Sequence, residues 1–396
     1  MTAIPRLLAY QGPALFSYGF RPFFLAGALF AGLDILIWLP IYFGDLHIPT
    51  TFSPVDWHVH EMLYGYLPAI ITGFLLTAIP NWTGRLPLQG RPLIVLILIW
   101  MAGRLAIMVS AGIGPLPAAA IDCLFLALVA AAAAREVVTG RNWQNLPPVG
   151  ILLTFVAGNV IFHLEAYTVG SAEIGKRIGI AAAIMLVTLI GGRVIPSFTR
   201  NWLARENPGR LPVPFGRFDV AALTVSAVTL VMWTAMPDLA ATGLLMLLAG
   251  GVHLLRLARW AGDRTLRNPL LLILHAAYAF VPLGFLMLGG AVLRPVDFPV
   301  SAGIHAWTVG AIGIMTLAMM TRVSLGHTGR KLSADPITCV IYTAVLTAAV
   351  ARLCAAFEPG WSTALLIIAA GAWVAAFALF AVNYGPLLSR PKVNAR

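Results

Sequence analysis

Apolar runs long enough to cross a bilayer recur along the whole chain, separated by short clusters of Arg, Pro, Gly and Asn. A helix needs about 20 predominantly apolar residues to cross roughly 30 Å of hydrocarbon. On that measure the pattern predicts twelve spanning helices, at 20–43, 58–80, 91–112, 114–135, 147–168, 173–197, 217–236, 238–262, 268–291, 300–322, 335–357 and 361–384. These use nearly all of the chain and leave no stretch for a soluble domain of about 50 residues or more. Residues 1–396 therefore read as a single integral-membrane domain, an all-α polytopic bundle. Arg6, Arg21 and Pro22 lead directly into the first span without a short apolar core and cleavage site, so no removable signal peptide is expected.

Composition agrees with the pattern. Hydrophobic residues make up 60% of the chain and charged ones 10%, with a mean hydropathy of +0.88, well outside the soluble globular range. The net charge of +11 would suit a nucleic-acid partner, but its distribution argues otherwise. With the N-terminus placed inside, the inward connections hold nineteen Lys and Arg, Arg6, Arg85 and Arg396 among them, and the outward ones only Lys176, Arg177 and Arg294. That asymmetry places both termini of a multi-pass membrane protein in the cytoplasm. The basic excess then reflects topology and attraction to anionic lipid, and no nucleic acid is expected. Cys123, Cys339 and Cys354 show no CxxC spacing and read as packing residues; without CxxCH, any haem would be non-covalent and b-type.

Orientation assigns a depth to each polar group. Trp57-His58-Val59-His60-Glu61 opens the second span at its outer end, His163 lies near the outer end of the fifth, and His305 about one turn into the tenth. Ionisable groups within a membrane are costly and mark functional sites by default. His is also the commonest nitrogen ligand for copper and iron, so His58, His60, His163 and His305 are the candidate metal ligands. A bis-imidazole haem would take one of His58 or His60 together with His305.

The HxH spacing limits how the pair can act. On a regular helix, residues two apart project about 200° apart, so His58 and His60 would serve different centres; a non-helical start would let both reach one ion. Glu61 is either an acceptor that orients an imidazole N–H or a carboxylate favoured by a helix N-terminus. Arg104 and Arg352 either clamp haem propionates, and so count among the cofactor-binding candidates, or pair with an intramembrane acid such as Asp34 or Asp122. His253, His275 and Tyr278 lie deeper, where a second haem, a proton route and interhelical hydrogen bonds remain open.

His163-Leu164-Glu165-Ala166-Tyr167 resembles the H-P-E-V-Y element of haem-copper oxidases, which makes His163, Glu165 and Tyr167 the candidate catalytic residues. The adjacent histidine pair of those oxidases has no counterpart, so that likeness is distant. A closer resemblance runs along almost the entire chain. Phe16-Ser17-Tyr18-Gly19-Phe20-Arg21-Pro22-Phe23-Phe24, Trp57-His58-Val59-His60-Glu61-Met62, the run Gly73 to Gly84, Arg193-Val194-Ile195-Pro196-Ser197, His305-Ala306-Trp307-Thr308 and Ser324-Leu325-Gly326-His327-Thr328-Gly329-Arg330 resemble the NnrS family. The resemblance implies a bacterial inner-membrane protein that contains haem and copper, is produced with denitrification or the nitric-oxide response, and relieves nitrosative stress.

The clustered histidines and the resemblance agree on redox metals in a membrane; with the nitric-oxide response that the resemblance implies, the expectation is that nitric oxide is bound or turned over at haem b next to copper, as in a nitric-oxide reductase-like oxidoreductase. Nitric oxide dissolves in lipid and could reach such a centre from the bilayer. A quinol or a periplasmic carrier is the expected electron donor. The rival from another class is a twelve-helix secondary transporter or a metal- or haem-handling permease, although no internal repeat or pair of glycine-broken helices points to one.

Overall fold

The computed structural model describes residues 10–83 and 87–392, with the side chains of 81–83 undescribed. Arg6, Arg85, Arg396 and Gly84 lie outside the described residues. Among those described there is no strand, and twelve helices are long and apolar enough to cross a membrane. They are α1 (Phe20–Phe43), α2 (Pro54–His60, continuing through Glu61–Tyr66 and Leu67–Thr83), α3 (Arg91–Met108), α4 (Pro115–Thr139), α5 (Leu146–Thr168) and α6 (Glu173–Glu206). There follow α7 (Arg217–Ala235), α8 (Ala240–Ala258), α9 (Pro269–Leu293), α10 (Val300–His305, Ala306–Gly313 and Ile314–His327), α11 (Pro336–Phe357) and α12 (Ser362–Ser389). The fold class and the number of spans expected from hydropathy are as found.

Helix ends carry the local signals that make them. Ser53 caps α2 by accepting from the Asp56 amide at 3.2 Å, with Pro54 at the first helical position. Asp335 does the same for α11, accepting from Thr338 at 2.7 Å ahead of Pro336. At the end of α1 the chain turns through Gly44 at φ 84°, a left-handed conformation that glycine adopts at no steric cost. The α6 start is held from another helix: the Glu165 carboxylate of α5 accepts from the amides of Ile174 at 3.0 Å and Gly175 at 2.7 Å.

Two helices contain a π-helical stretch, Glu61–Tyr66 in α2 and Ala306–Gly313 in α10. Such bulges cost regular hydrogen bonding and gather at functional sites. The one in α2 begins at the residue after His60, and hydropathy carries no trace of either.

The helices cluster into two compact units, Met1–Gly179 with Val323–Lys331 and Phe377–Arg396, and Ile180–Arg322 with Leu332–Ala376. In the first, α1 and α2 cross closely because Gly27 of α1 faces Ile70 and Gly73 of α2 faces Phe23 and Phe24. Arg21 donates to the carbonyls of Leu388 at 2.8 Å and Arg390 at 2.7 Å, capping the last turn of α12. The start of α1 and the end of α12 therefore lie side by side. In the second unit Trp307 packs edge-on against Phe285 at 4.8 Å and Trp233 at 5.5 Å, with its indole N–H donating to the Val281 carbonyl at 3.0 Å.

The α5–α6 contact depends on Gly175, where a Cβ would fall 2.5 Å from the Phe162 Cα and 2.6 Å from its nitrogen. Backbone cannot give way there, so Gly175→Ala should lower the thermal midpoint in detergent, with a loss of about 1–3 kcal/mol expected from overpacking. Gly371→Ala, which meets nothing within 4 Å, should melt like the parent chain.

Candidate metal centre

Four helices of the first unit send polar side chains to one buried group near the connections 44–53, 109–114 and 169–172. They are His60 and Glu61 from α2, Arg104 from α3, Asp122 from α4, and Asn159 and His163 from α5. All six are at most 8% exposed. One ligand atom each from His60, Asp122 and His163 lies within 4.8 Å of the others, a spacing suited to a single metal ion.

The hydrogen bonds order this group from the outside inward. Arg104 donates to Glu61 Oε1 at 2.6 Å and, through its second terminal nitrogen, to Asp122 Oδ1. Glu61 Oε1 also faces His60 Nδ1 at 2.9 Å. A carboxylate oxygen only accepts, so Nδ1 carries the hydrogen and Nε2 of the neutral ring carries the lone pair. That Nε2 faces Asp122 Oδ2 at 3.2 Å and Asn159 Oδ1 at 3.1 Å, both acceptors. His163 Nε2 meets the same Asp122 Oδ2 at 3.1 Å, and Asn159 Nδ2 donates to it at 2.8 Å.

Three acceptor atoms converging at hydrogen-bond distance repel one another unless a cation lies among them. The charge count agrees: Glu61 and Asp122 ionised, Arg104 protonated and both imidazoles neutral leave one net negative charge in a buried group. Burial at that count calls for one more positive charge, a proton on His60 or a metal ion. The donor set, two imidazole nitrogens and a carboxylate oxygen, suits a divalent transition metal or copper. The Glu61–His60 contact is the kind of outer carboxylate that fixes a ligating imidazole.

Packing seats and shields the group. Gly65, within the π-helical stretch, leaves the space that the Arg104 guanidinium fills, and its carbonyl accepts from Trp100 Nε1 at 2.9 Å. Phe52, from the α1–α2 connection, lies over the two rings at 5.1 Å from His60 and 5.4 Å from His163. Ser110 ties that connection down, accepting from the Thr51 amide at 2.8 Å.

The other sequence candidates lie elsewhere. His58 points away from His60, as two residues on one helix should: its ring stacks on Trp38 at 4.5 Å and its Nδ1 faces Asp34 Oδ2 at 3.3 Å. His305 is in the second unit, where its Nδ1 donates to the Ser301 carbonyl at 2.7 Å. In the neutral rings of both, Nε2 again carries the lone pair. Glu165 caps α6, as described above, and Tyr167 is exposed, so of the string His163 to Tyr167 only the histidine enters the buried group. Arg104 takes the ion-pair arrangement with Asp122, and Arg352 of α11 is half-buried in the second unit.

His253 and His275 belong to a second polar network. His253 Nε2 contacts Ser226 at 2.6 Å and Nδ1 contacts the Tyr278 hydroxyl at 2.9 Å, while Arg256 joins Tyr278 at 2.9 Å to Asp219 at 2.8 Å. His275 Nε2 contacts Thr199 at 2.9 Å. These are interhelical hydrogen bonds, though His275 Nδ1 and Arg256 Nη2 are buried without a hydrogen-bond partner.

Asp122 entered the sequence reading only as a partner for Arg104, although a lone carboxylate inside the apolar run of α4 is itself a site signal. Asn159 carried a weaker one, its place four residues before His163 on the same helical face.

Twelve candidate spans among the described residues, and in the first unit a buried group of acids, imidazoles and one guanidinium, define a polytopic helical membrane protein with a buried His/Asp group that could hold a metal ion. The chain belongs to the NnrS family: the family model described as NnrS protein matches residues 14–392, nearly its full length. No curated protein matches it.

Removing Arg104 would strand two buried carboxylates. Arg104→Met should cost about 3–5 kcal/mol, the range for breaking a buried ion pair. Adding Glu61→Gln and Asp122→Asn should restore much of that loss in a chemical-denaturation series.

Proposed function

We propose that the protein binds or turns over nitric oxide at a metal centre in the cytoplasmic membrane, with His60, His163 and Asp122 holding a copper ion. The observation that supports this most is that His60 Nε2 faces two oxygen acceptors, Asp122 Oδ2 at 3.2 Å and Asn159 Oδ1 at 3.1 Å, in a group that carries one net negative charge when both imidazoles are neutral. A copper ion supplies that charge and accepts the nitrogen ligands. When bound, copper and haem would supply the redox chemistry for nitric oxide.

Each neighbouring side chain has a part in that reading. Glu61 orients His60, Arg104 holds both carboxylates in place, Asn159 steadies Asp122, and Phe52 keeps water from the two rings. The cleft bordering His163 measures ≈ 220 Å³, below the roughly 300–1,000 Å³ of small-molecule and cofactor pockets, which favours copper over haem as the ligand of the trio. His58 is better suited to iron, since Asp34 orients its Nδ1 and the Nε2 lone pair faces away from that contact. With the termini in the cytoplasm, the trio lies toward the periplasmic side, within reach of a quinol or a periplasmic donor. Relief of nitrosative stress would follow from removal of nitric oxide there.

Metal analysis and dithionite-reduced optical spectra of the detergent-purified chain, with and without nitric oxide, test this reading. Copper should be lost from His60→Ala, His163→Ala and Asp122→Asn with the haem spectrum retained, and the haem spectrum should be lost from His58→Ala with copper retained. Full copper content in both His60→Ala and His163→Ala would contradict it.

A further inference from the structure

The surface of α4 that faces α5 is made of small side chains, Ala119, Ala120 and Cys123, on one helical face. Opposite them α5 presents Val160, His163, Leu164 and Tyr167, spaced at three, four and seven residues. Small residues on one wall and larger ones on the other leave a cleft of ≈ 220 Å³ whose lining includes no Asp, Glu, Lys or Arg. An apolar cavity of about 150 Å³ already takes up xenon or benzene, so this volume suits a diatomic molecule with room to spare.

The cleft has a mouth and a floor. Leu116, Leu164 and Tyr167 at its rim are 63%, 51% and 59% exposed, on helix faces that would meet lipid. His163 is 8% exposed and lines the cleft while its Nε2 is held at Asp122 Oδ2. Cys123, on the cleft wall, follows Asp122 in the chain, so consecutive residues of α4 serve the cleft and the buried group. The approach from the connections is closed by Phe52 over His60 and His163. One imidazole therefore separates an apolar, lipid-facing cleft from the proposed metal position.

We infer that the cleft between α4 and α5 is the passage by which a small uncharged molecule dissolved in the bilayer reaches the His60–Asp122–His163 group. The inference rests on the metal-centre reading and adds the route and the ligand class: uncharged, apolar and diatomic in size. An uncharged wall matches such a ligand and imposes a desolvation cost on an anion. Entry from lipid also draws on the higher concentration of apolar gas there, without a water-filled channel through the bundle.

Two measurements on the full-length chain separate the route from the centre it serves. In stopped-flow experiments on reduced, metal-loaded protein, Ala119→Phe should slow nitric oxide association about tenfold, within the roughly one to three decades over which association rates of related variants vary. Metal content and the reduced spectrum should stay as in the parent, and Ala120→Phe provides a second filling of the cleft should the first fold poorly. Xenon-pressurised crystals should show xenon in the parent cleft and none in the filled variant, a readout that needs no metal. An unchanged association rate in both variants overturns the passage, and so does a parent cleft that takes up no xenon. A chain that carries no metal but binds xenon there would instead defeat the metal-centre reading while upholding the cleft as an apolar-ligand site.

Discussion

Arg104 is the charge on which the buried end of the first unit depends. It bridges Glu61 and Asp122, two buried carboxylates drawn from helices on either side of it, where an unpaired buried charge is strongly destabilising. Through Glu61 it sets the tautomer of His60, and through Asp122 it sets the oxygen that meets both imidazoles. Gly65 exists at its position to admit the guanidinium, and the π-helical stretch of α2 brings that glycine to it. A stable hydrophobic core would have been simpler to build. Four helices instead converge on ionised groups, which are retained where they do chemistry or hold a ligand.

The spans were legible because apolar length is a property of the sequence alone, and the membrane requires it of every helix. The opposed directions of His58 and His60 followed from helical geometry, and the α2 start is helical, capped by Ser53. Other features depend on tertiary context. Neither π-helical stretch could be read, since register defects leave hydropathy unchanged. Glu165 carried a catalytic expectation from its neighbours His163 and Tyr167, yet its carboxylate faces the amides that begin α6, a partner supplied by the next helix. Asp122 and Asn159 were harder to weigh than the histidines because a lone acid or amide names no cofactor, whereas clustered imidazoles do. Whether Arg104 met an acid or a propionate turned on which helices adjoin α3.

The first unit thus joins three properties in a small volume: a donor set of two nitrogens and an oxygen, a net negative charge when both imidazoles are neutral, and an apolar cleft against His163. Each has a structural explanation by itself. Deep histidines can be hydrogen-bonded packing residues, as His253 is in the second unit with partners at both ring nitrogens. His60 differs from it in kind, because its Nε2 faces two acceptors instead of a donor and an acceptor. That contrast between two buried histidines of one chain is the physical basis for proposing a metal at the first.

X-ray absorption at the copper edge of the purified protein tests the central claim most directly. The account predicts two imidazole nitrogens and a carboxylate oxygen in the first coordination shell, with one imidazole's outer-shell scattering lost in His163→Ala. Sulfur ligation, or a spectrum unaltered by that substitution, would contradict it.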